Sequence, residues 1–408
     1  QGQMTTDPVQ AQYEAYPYPE RDPKDEASRL VEGSPSHLDE VDHFCFAGRM
    51  RHRPVLRVLV AGGGTGDALV MLAQHAKDRG IAAEITYLDL STASRRIAEA
   101  RIAARGLDNV RFITGSLLDV ATLAPGPYDY IDCCGVLHHL PDPPAGLAAL
   151  TSVLAPGGAM GLMVYAWLGR TGVYPLQAAL AALAPDRDLG VRLSVARRLV
   201  RDLPATNWAK RNPLLGDLAT DTDAGLYDLL LHSRDRAYSV PELLEFLATS
   251  DLAPISFIEP ARYDPRTWIA DPALARRAAQ LAPPEAAALA ENLSGTMKTH
   301  ILYVARRSEL DGRVAAPAGD ATIPVPRTGA KALVPMLARG GVLKLDFDGH
   351  PFRREIPPGL APLLDAIDGQ RTLGEIGQRL GWDAGTLKQR FERLYALLNP
   401  INLLTLRF

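Results

Sequence analysis

The stretch RVLVAGGGTGDALVMLA, residues 57–73, decides the reading of this chain. An apolar run collapses into glycine and then resumes with helical periodicity, so bare backbone must approach something closely. Gly62, Gly64 and Gly66 give G-x-G-x-G rather than the G-x-G-x-x-G of a dinucleotide site. Asp67 stands at the expected helix start, where its charge would repel a pyrophosphate. Neither Gly-Lys-Ser nor Gly-Lys-Thr follows, which removes the P-loop.

Outward from this loop the chain alternates strands and helices. VLRVLVA leads into a helix from Asp67 to about Arg79, stopped by Gly80. EITYLDL leads into a helix that Ser91 caps and Gly106 ends. VRFITG and YDYIDCCGV follow, then a helix entered by Asp142-Pro143, then the strand AMGLMVYA. Continuous apolar strands between amphipathic helices imply an α/β fold with a doubly wound parallel sheet. The beat breaks after Ala166. Residues 167–250 read as a helical insertion before PISFIEP, and THILYVARR (299–307) as the last core strand. The expected organisation is an N-terminal Tyr/Pro segment and helix (1–50), a core (51–307), an Ala/Pro/Gly/Thr-rich linker (308–330) and a small α+β domain (331–408).

The chain has 408 residues, 47% hydrophobic and 22% charged, with a net charge of −3. That balance favours neither nucleic acid nor an anionic membrane as partner. Absence of a long apolar run or a signal-peptide pattern makes the cytoplasm the expected location. The opening QGQM reads as a tag remnant before a start near Met4. Cys45, Cys133 and Cys134 lack zinc spacing and read as buried thiols, and no metal site is expected.

In an open parallel sheet, ligands sit beyond the carboxyl ends of the strands. Four features land there: the glycine loop (Gly62, Gly63, Gly64, Gly66, with Asp67), Asp89 with Leu90 after strand two, Ser116-Leu117 after strand three, and GVLHHLPDP (135–143) after strand four. An acid at position 89 can accept hydrogen bonds from two ribose hydroxyls.

With these four in order, residues 55–165 closely resemble the class I S-adenosylmethionine-dependent methyltransferases, and the likeness reaches about residue 307. The resemblance implies a seven-stranded Rossmann-like sheet and S-adenosyl-L-methionine as cofactor, held by the four features, including Gly135 and Val136. Two positions depart from the family's usual pattern: Val60 and Ser116 stand where acids are common. His138 and His139 lie beside the expected methyl position and are candidate bases. The segment with Tyr13, Tyr16 and Tyr18 is read as a lid held extended by Pro17 and Pro19, with Tyr13, Tyr18 and Arg21 near cofactor or acceptor. His232 and Tyr238 are candidates from the insertion. Residues 331–408 resemble small winged-helix domains that recognise precursor peptides. With eleven Lys/Arg against eight Asp/Glu, they are too mildly basic for a phosphate-reading surface.

The expected function is methyl transfer to an N or O nucleophile, with a peptide or protein acceptor favoured over a small molecule. A non-catalytic cofactor- or partner-binding module of the same fold is the alternative. A homodimer is compatible with the sequence.

Overall fold

A computed structural model describes residues 7–232 and 234–408; the QGQM opening lies outside them. Eight strands build one sheet: β1 (Leu56–Ala61), β2 (Ala83–Asp89), β3 (Val110–Thr114), β4 (Tyr128–Cys134), β5 (Leu154–Ala166), β6 (Ala237–Tyr238), β7 (Leu252–Ile258) and β8 (Thr299–Arg306). Seven run in the order β3-β2-β1-β4-β5-β8-β7, and the two-residue β6 pairs β5. The pairs β1/β2, β2/β3, β1/β4 and β4/β5 are parallel. This is the expected Rossmann-like α/β sheet. The chain proceeds outward from β1 to β3 and then returns to β4, so the topological switch point lies between β1 and β4. A ligand crevice opens there.

The chain divides into two compact units. The first comprises residues 1–37, 55–252 and 295–300. Its helix Asp67–Asp78 begins at Gly66, whose left-handed φ of 104° turns the chain out of the loop. Ser91 caps the helix Thr92–Ala104, and Asp142 caps Pro143–Ser152 with proline at its first position, as the sequence indicated. The insertion is helical, with Val173–Leu183, Leu189–Asp202 and Asp223–Leu230 sharing an apolar core that includes Leu176, Leu193, Ala196, Leu226 and Tyr227.

Two expectations change here. Residues Pro8–Ala15 form a helix, capped by Asp7, that carries Tyr13. Pro17 and Pro19 stop this helix rather than hold the whole segment extended, because neither can donate the next helical hydrogen bond. The N-terminal region is also not one piece: the helix Leu38–Cys45 belongs to the second unit.

That second unit comprises residues 38–54, 253–294 and 301–408. The expected linker contains a strand, β9 (Ile323–Pro326), preceded by the buried Thr322. β9 has one antiparallel partner, the C-terminal strand, an edge position that tolerates its two prolines. Residues 331–408 do run strands first and then helices. β10 (Val342–Phe347) and β11 (His350–Glu355) form a hairpin turned by Asp348-Gly349, both at positive φ. Thr372 and Glu375 form a capping box at the DGQRTLGEI turn, and β12 (Leu404–Arg407) ends the chain. Leu343, Phe352, Leu364, Phe391 and Leu394 centre its core, which also takes in Ala261 and Ala315. Residues 331–408 therefore share their core with earlier chain instead of closing one of their own.

Candidate active site

A cavity of about 390 Å³ opens at the carboxyl ends of β1, β2 and β4, entirely within the first unit. Its size suits a small-molecule ligand, for which such pockets measure roughly 300–1,000 Å³. The glycine loop forms one wall. Gly62 sits at φ 69°, and a Cβ there would lie 2.3 Å from the Val136 side chain, so no other residue fits without displacing the loop after β4. Gly64 donates its N–H to Asp89 Oδ2 at 2.8 Å, and Tyr87 donates its hydroxyl to the Gly64 carbonyl at 2.6 Å. The end of β2 thus fixes the loop after β1.

Asp89 accepts a second backbone bond, from Ser91 N to Oδ1, at 2.8 Å. Burial pushes its carboxyl up, against these two donors. Each oxygen keeps a second lone pair, so the carboxylate can take two vicinal hydroxyls. Leu90, Ser116, Leu117, Gly135 and Val136 line the same cavity. Ser116 Oγ is already engaged, accepting from Leu118 N at 3.2 Å.

Asp67 and Arg21 behave differently from expectation. Arg21 binds Asp67 through Nε and Nη2 at 2.9 and 2.8 Å, and Arg101 adds a third bond at 2.7 Å. Arg101 is only 1% exposed and also pairs with Glu26. Burial raises the Asp67 carboxyl, but the two guanidinium groups outweigh it and hold it below its usual range. Arg21 is therefore a clamp on the helix start and does not line the cavity. Asp67 lines it as a neutralised acid, so repulsion of phosphate was the weaker reason for excluding a dinucleotide; the glycine spacing carries that exclusion.

The N-terminal segment covers the loop. Thr65 Oγ1 donates to the Pro19 carbonyl at 2.7 Å, Gln10 Nε2 donates to the Leu90 carbonyl at 3.1 Å, and Tyr18 and Pro19 line the cavity. Arg234 Nη2 bridges both oxygens of Asp7 at 2.9 and 2.8 Å, tying this segment to the insertion. Tyr13 is committed to the insertion too, donating its hydroxyl to Asp228 Oδ1 at 2.7 Å.

The histidines form a closed network with one consistent set of tautomers. His138 Nδ1 accepts from Tyr165 N at 3.3 Å, and its Nε2–H points at His139 Nε2 at 3.1 Å. His139 Nδ1–H then donates to the Arg234 carbonyl at 2.7 Å. His232 Nδ1 accepts from Arg234 N at 3.0 Å, leaving Nε2–H for the Tyr13 oxygen at 3.1 Å. Burial holds all three rings neutral, with His138 and His139 well below their usual range and His232 pushed down to about 3. Both nitrogens of every ring are engaged, so none offers a free lone pair to an acceptor. This corrects the expectation of His138, His139 or His232 as base. His139, Asp228 and His232 lie close enough to suggest a metal cluster, but the protonated Nε2 of His232 is the wrong tautomer for one. Tyr238 is buried, stacks on Phe246 and does not line the cavity.

Among the acids that line it, Asp228 comes from the insertion, and it also accepts Tyr165 Oη–H at 3.0 Å. Burial pushes its carboxyl up to about 6, with the two tyrosine bonds opposing. An acid inside the apolar stretch LYDLLLH was its only signal in the sequence. Arg170, Tyr174 and Gln177 converge instead on buried Asp235, at 2.9, 3.3 and 2.9 Å, and brace the insertion.

Residues 59–160 match the family described as Methyltransferase domain. They belong to the class I S-adenosylmethionine-dependent methyltransferases. An uncharacterized protein of Synechococcus sp. is 35% identical over 270 residues, covering 64% of this chain and 62% of that one. The tRNA 5-carboxymethoxyuridine methyltransferase of Escherichia coli K12 is 37% identical over 111 residues, 27% of this chain and 40% of that one. The chain thus spans less than two thirds of either relative. The structure of PKMT2 from Rickettsia typhi in complex with AdoHcy superposes with a TM-score of 0.58 at 13% identity, covering 91% of this chain and 75% of that one, which shows a shared fold. The methyltransferase domain takes S-adenosylmethionine, and the cradle fits it: a glycine loop too tight for side chains, a carboxylate placed for a diol, and an apolar wall of Leu90, Leu117 and Val136 for a flat base. Among the described residues, no helix is long and apolar enough to cross a membrane.

Proposed function

We propose that the protein transfers a methyl group from S-adenosylmethionine to an oxygen or nitrogen nucleophile. The observation that carries this reading is Asp89, which lines the cavity beside the glycine loop with only one backbone bond on each carboxylate oxygen. When bound, the cofactor supplies an electrophilic methyl group on a sulfonium. The chain's own residues then hold the acceptor in line and exclude water, an effect worth roughly 7–11 kcal/mol when the alignment is good. The helix Pro8–Ala15, Tyr18 and Arg234 close the cavity for that purpose. Asp228, ionised above about pH 6, takes the proton that the acceptor loses. Tyr13 and Tyr165 orient its carboxylate from either side.

The finer reading is an acceptor group on a peptide or protein. In its support, the second unit carries a groove of about 570 Å³ lined by Phe352, Arg354 and Glu355 of β11 and by Arg393, Ala396 and Leu397. β11 belongs to a two-stranded sheet, and an apolar floor beside a strand edge suits an extended peptide. An RNA acceptor, suggested by the tRNA methyltransferase, is the second reading; that alignment covers 27% of the chain. The test is incubation of cell extract with the protein and methyl-labelled cofactor, followed by size separation. Label in the macromolecular fraction that protease releases and ribonuclease does not supports a peptide or protein acceptor, and release by ribonuclease identifies RNA. Label in the filtrate identifies a small molecule, and binding without labelled product leaves a non-catalytic module.

A further inference from the structure

Asp132 lies in the middle of the sheet, on β4, and pairs with Val60 of β1. Val60 is the position, two residues before the first glycine of the loop, at which an acid is absent from this chain. Here the acid stands one strand over, at the same level of the sheet. Asp132 is 1% exposed and lines the cavity together with Val60, Ser36 and Cys134. Its Oδ2 accepts the Ser36 hydroxyl at 2.5 Å, and its Oδ1 is buried without a hydrogen-bond partner.

The other carboxylates lining the cavity already have a partner on each oxygen or a cationic partner. Asp7 is paired with Arg234, Asp67 with Arg21 and Arg101. Glu32 bonds His37 and His75, each at 3.2 Å. Asp89 holds Gly64 and Ser91, and Asp228 holds Tyr13 and Tyr165. An ionised carboxylate without a counter-charge is costly to bury, and desolvation pushes Asp132 up to about 7 despite the Ser36 bond. A cation arriving in the cavity removes that cost.

We infer that Asp132 is the anionic partner of the α-ammonium group on the amino-acid portion of the cofactor, replacing an acid on β1 with one on β4. This rests on the reading that the cavity takes S-adenosylmethionine. The carboxylate Oδ1 accepts from the ammonium, while Ser36 holds Oδ2 and fixes the direction of the pair. Asp132 acts in binding only and takes no part in proton transfer from the acceptor.

Two ligands separate the ammonium from the rest of the cofactor. S-adenosylhomocysteine has the ammonium and no sulfonium; 5′-methylthioadenosine keeps the nucleoside thioether and lacks the amino-acid portion. By calorimetry at pH 8, Asp132→Asn should weaken S-adenosylhomocysteine about ten- to a hundredfold, as loss of a charge-assisted bond requires, and change 5′-methylthioadenosine less than about twofold. The variant without ligand should melt no lower than the wild type, since it no longer buries a charge. Asp132→Ser, a smaller side chain, carries the same expectation for the two ligands. Equal weakening of both ligands, or an unchanged dissociation constant for S-adenosylhomocysteine, overturns the inference while leaving the cofactor reading intact. Wild-type protein that binds neither ligand overturns the cofactor reading and this inference with it.

Discussion

Replacing Asp89 with alanine removes one carboxylate with four obligations. It accepts from Gly64 N and from Ser91 N, both at 2.8 Å, and in the proposed reading its two remaining acceptor sites take the ribose hydroxyls. Hydrogen bonds to a charged group contribute about 1.5–3 kcal/mol each. In the variant, water can enter the space left by the carboxylate and satisfy part of what is lost, so the net effect on binding is about one such bond. That corresponds to a rise of about tenfold to about a hundredfold in the dissociation constant for S-adenosylhomocysteine, since 1.4 kcal/mol is about tenfold. Asp89→Asn keeps the shape but sets its NH2 against the N–H of Gly64 or of Ser91, both donors, and should weaken binding at least as much as alanine. Both variants should stay folded, because the acid they remove is one that burial disfavours. Calorimetric titration with S-adenosylhomocysteine, with melting followed in parallel, checks this. A folded Asp89→Ala protein with an unchanged dissociation constant refutes the assignment of the ribose to β2.

The rate should rise with pH and level off above an inflection near 6, where Asp228 ionises, and Asp228→Asn should remove both the inflection and most of the turnover. An inflection that survives in this variant would assign the base elsewhere. The carboxyl of Asp132 is raised in the folded protein, to about 7 from 3.8, so the fold binds its proton more tightly than the unfolded chain does. Stability lost through this group therefore accumulates as pH rises from about 4 to about 7. The melting advantage of Asp132→Asn should be absent near pH 4 and full by pH 8; a constant advantage across that range contradicts the assignment. Deleting the residues before 25 should abolish turnover and weaken S-adenosylhomocysteine binding more than it lowers the melting temperature. A truncated protein that melts much earlier while its folded fraction stays fully active would make the segment a structural strap. Chelation should leave turnover unchanged; loss restored by added zinc would show that a metal is held, at His139, Asp228 and His232 or at Glu32, His37 and His75.

The cofactor half of the site was legible because its determinants are local. Glycine spacing, an acid at a strand end and a loop after strand four each read within a few residues, and parallel-sheet topology brings them to one edge. The acceptor half depends on contacts between distant segments. Tyr13 meets Asp228 across 215 positions and His139 meets Arg234 across 95, and no spacing rule connects them. Histidines in sequence look like free bases, but only the packed structure shows their ring nitrogens satisfied by one another. Asp132 did have a signal, an acid following Tyr130-Ile131 deep in the strand YDYIDCC, where both sheet faces are covered and a charge is costly, whereas Asp129 stands nearer the strand's start. The linker expectation at 308–330 failed because proline and glycine mark an edge strand as readily as a tether, and the partner, β12, lies about eighty residues on.

The central claim is that the glycine loop and Asp89 hold S-adenosylmethionine and not a dinucleotide. Isothermal titration of the full chain with S-adenosylhomocysteine and, separately, with NAD tests it most directly. Saturable one-site binding of S-adenosylhomocysteine, with no binding of NAD at comparable concentration, is the predicted result. Tight binding of NAD with none of S-adenosylhomocysteine would contradict the account.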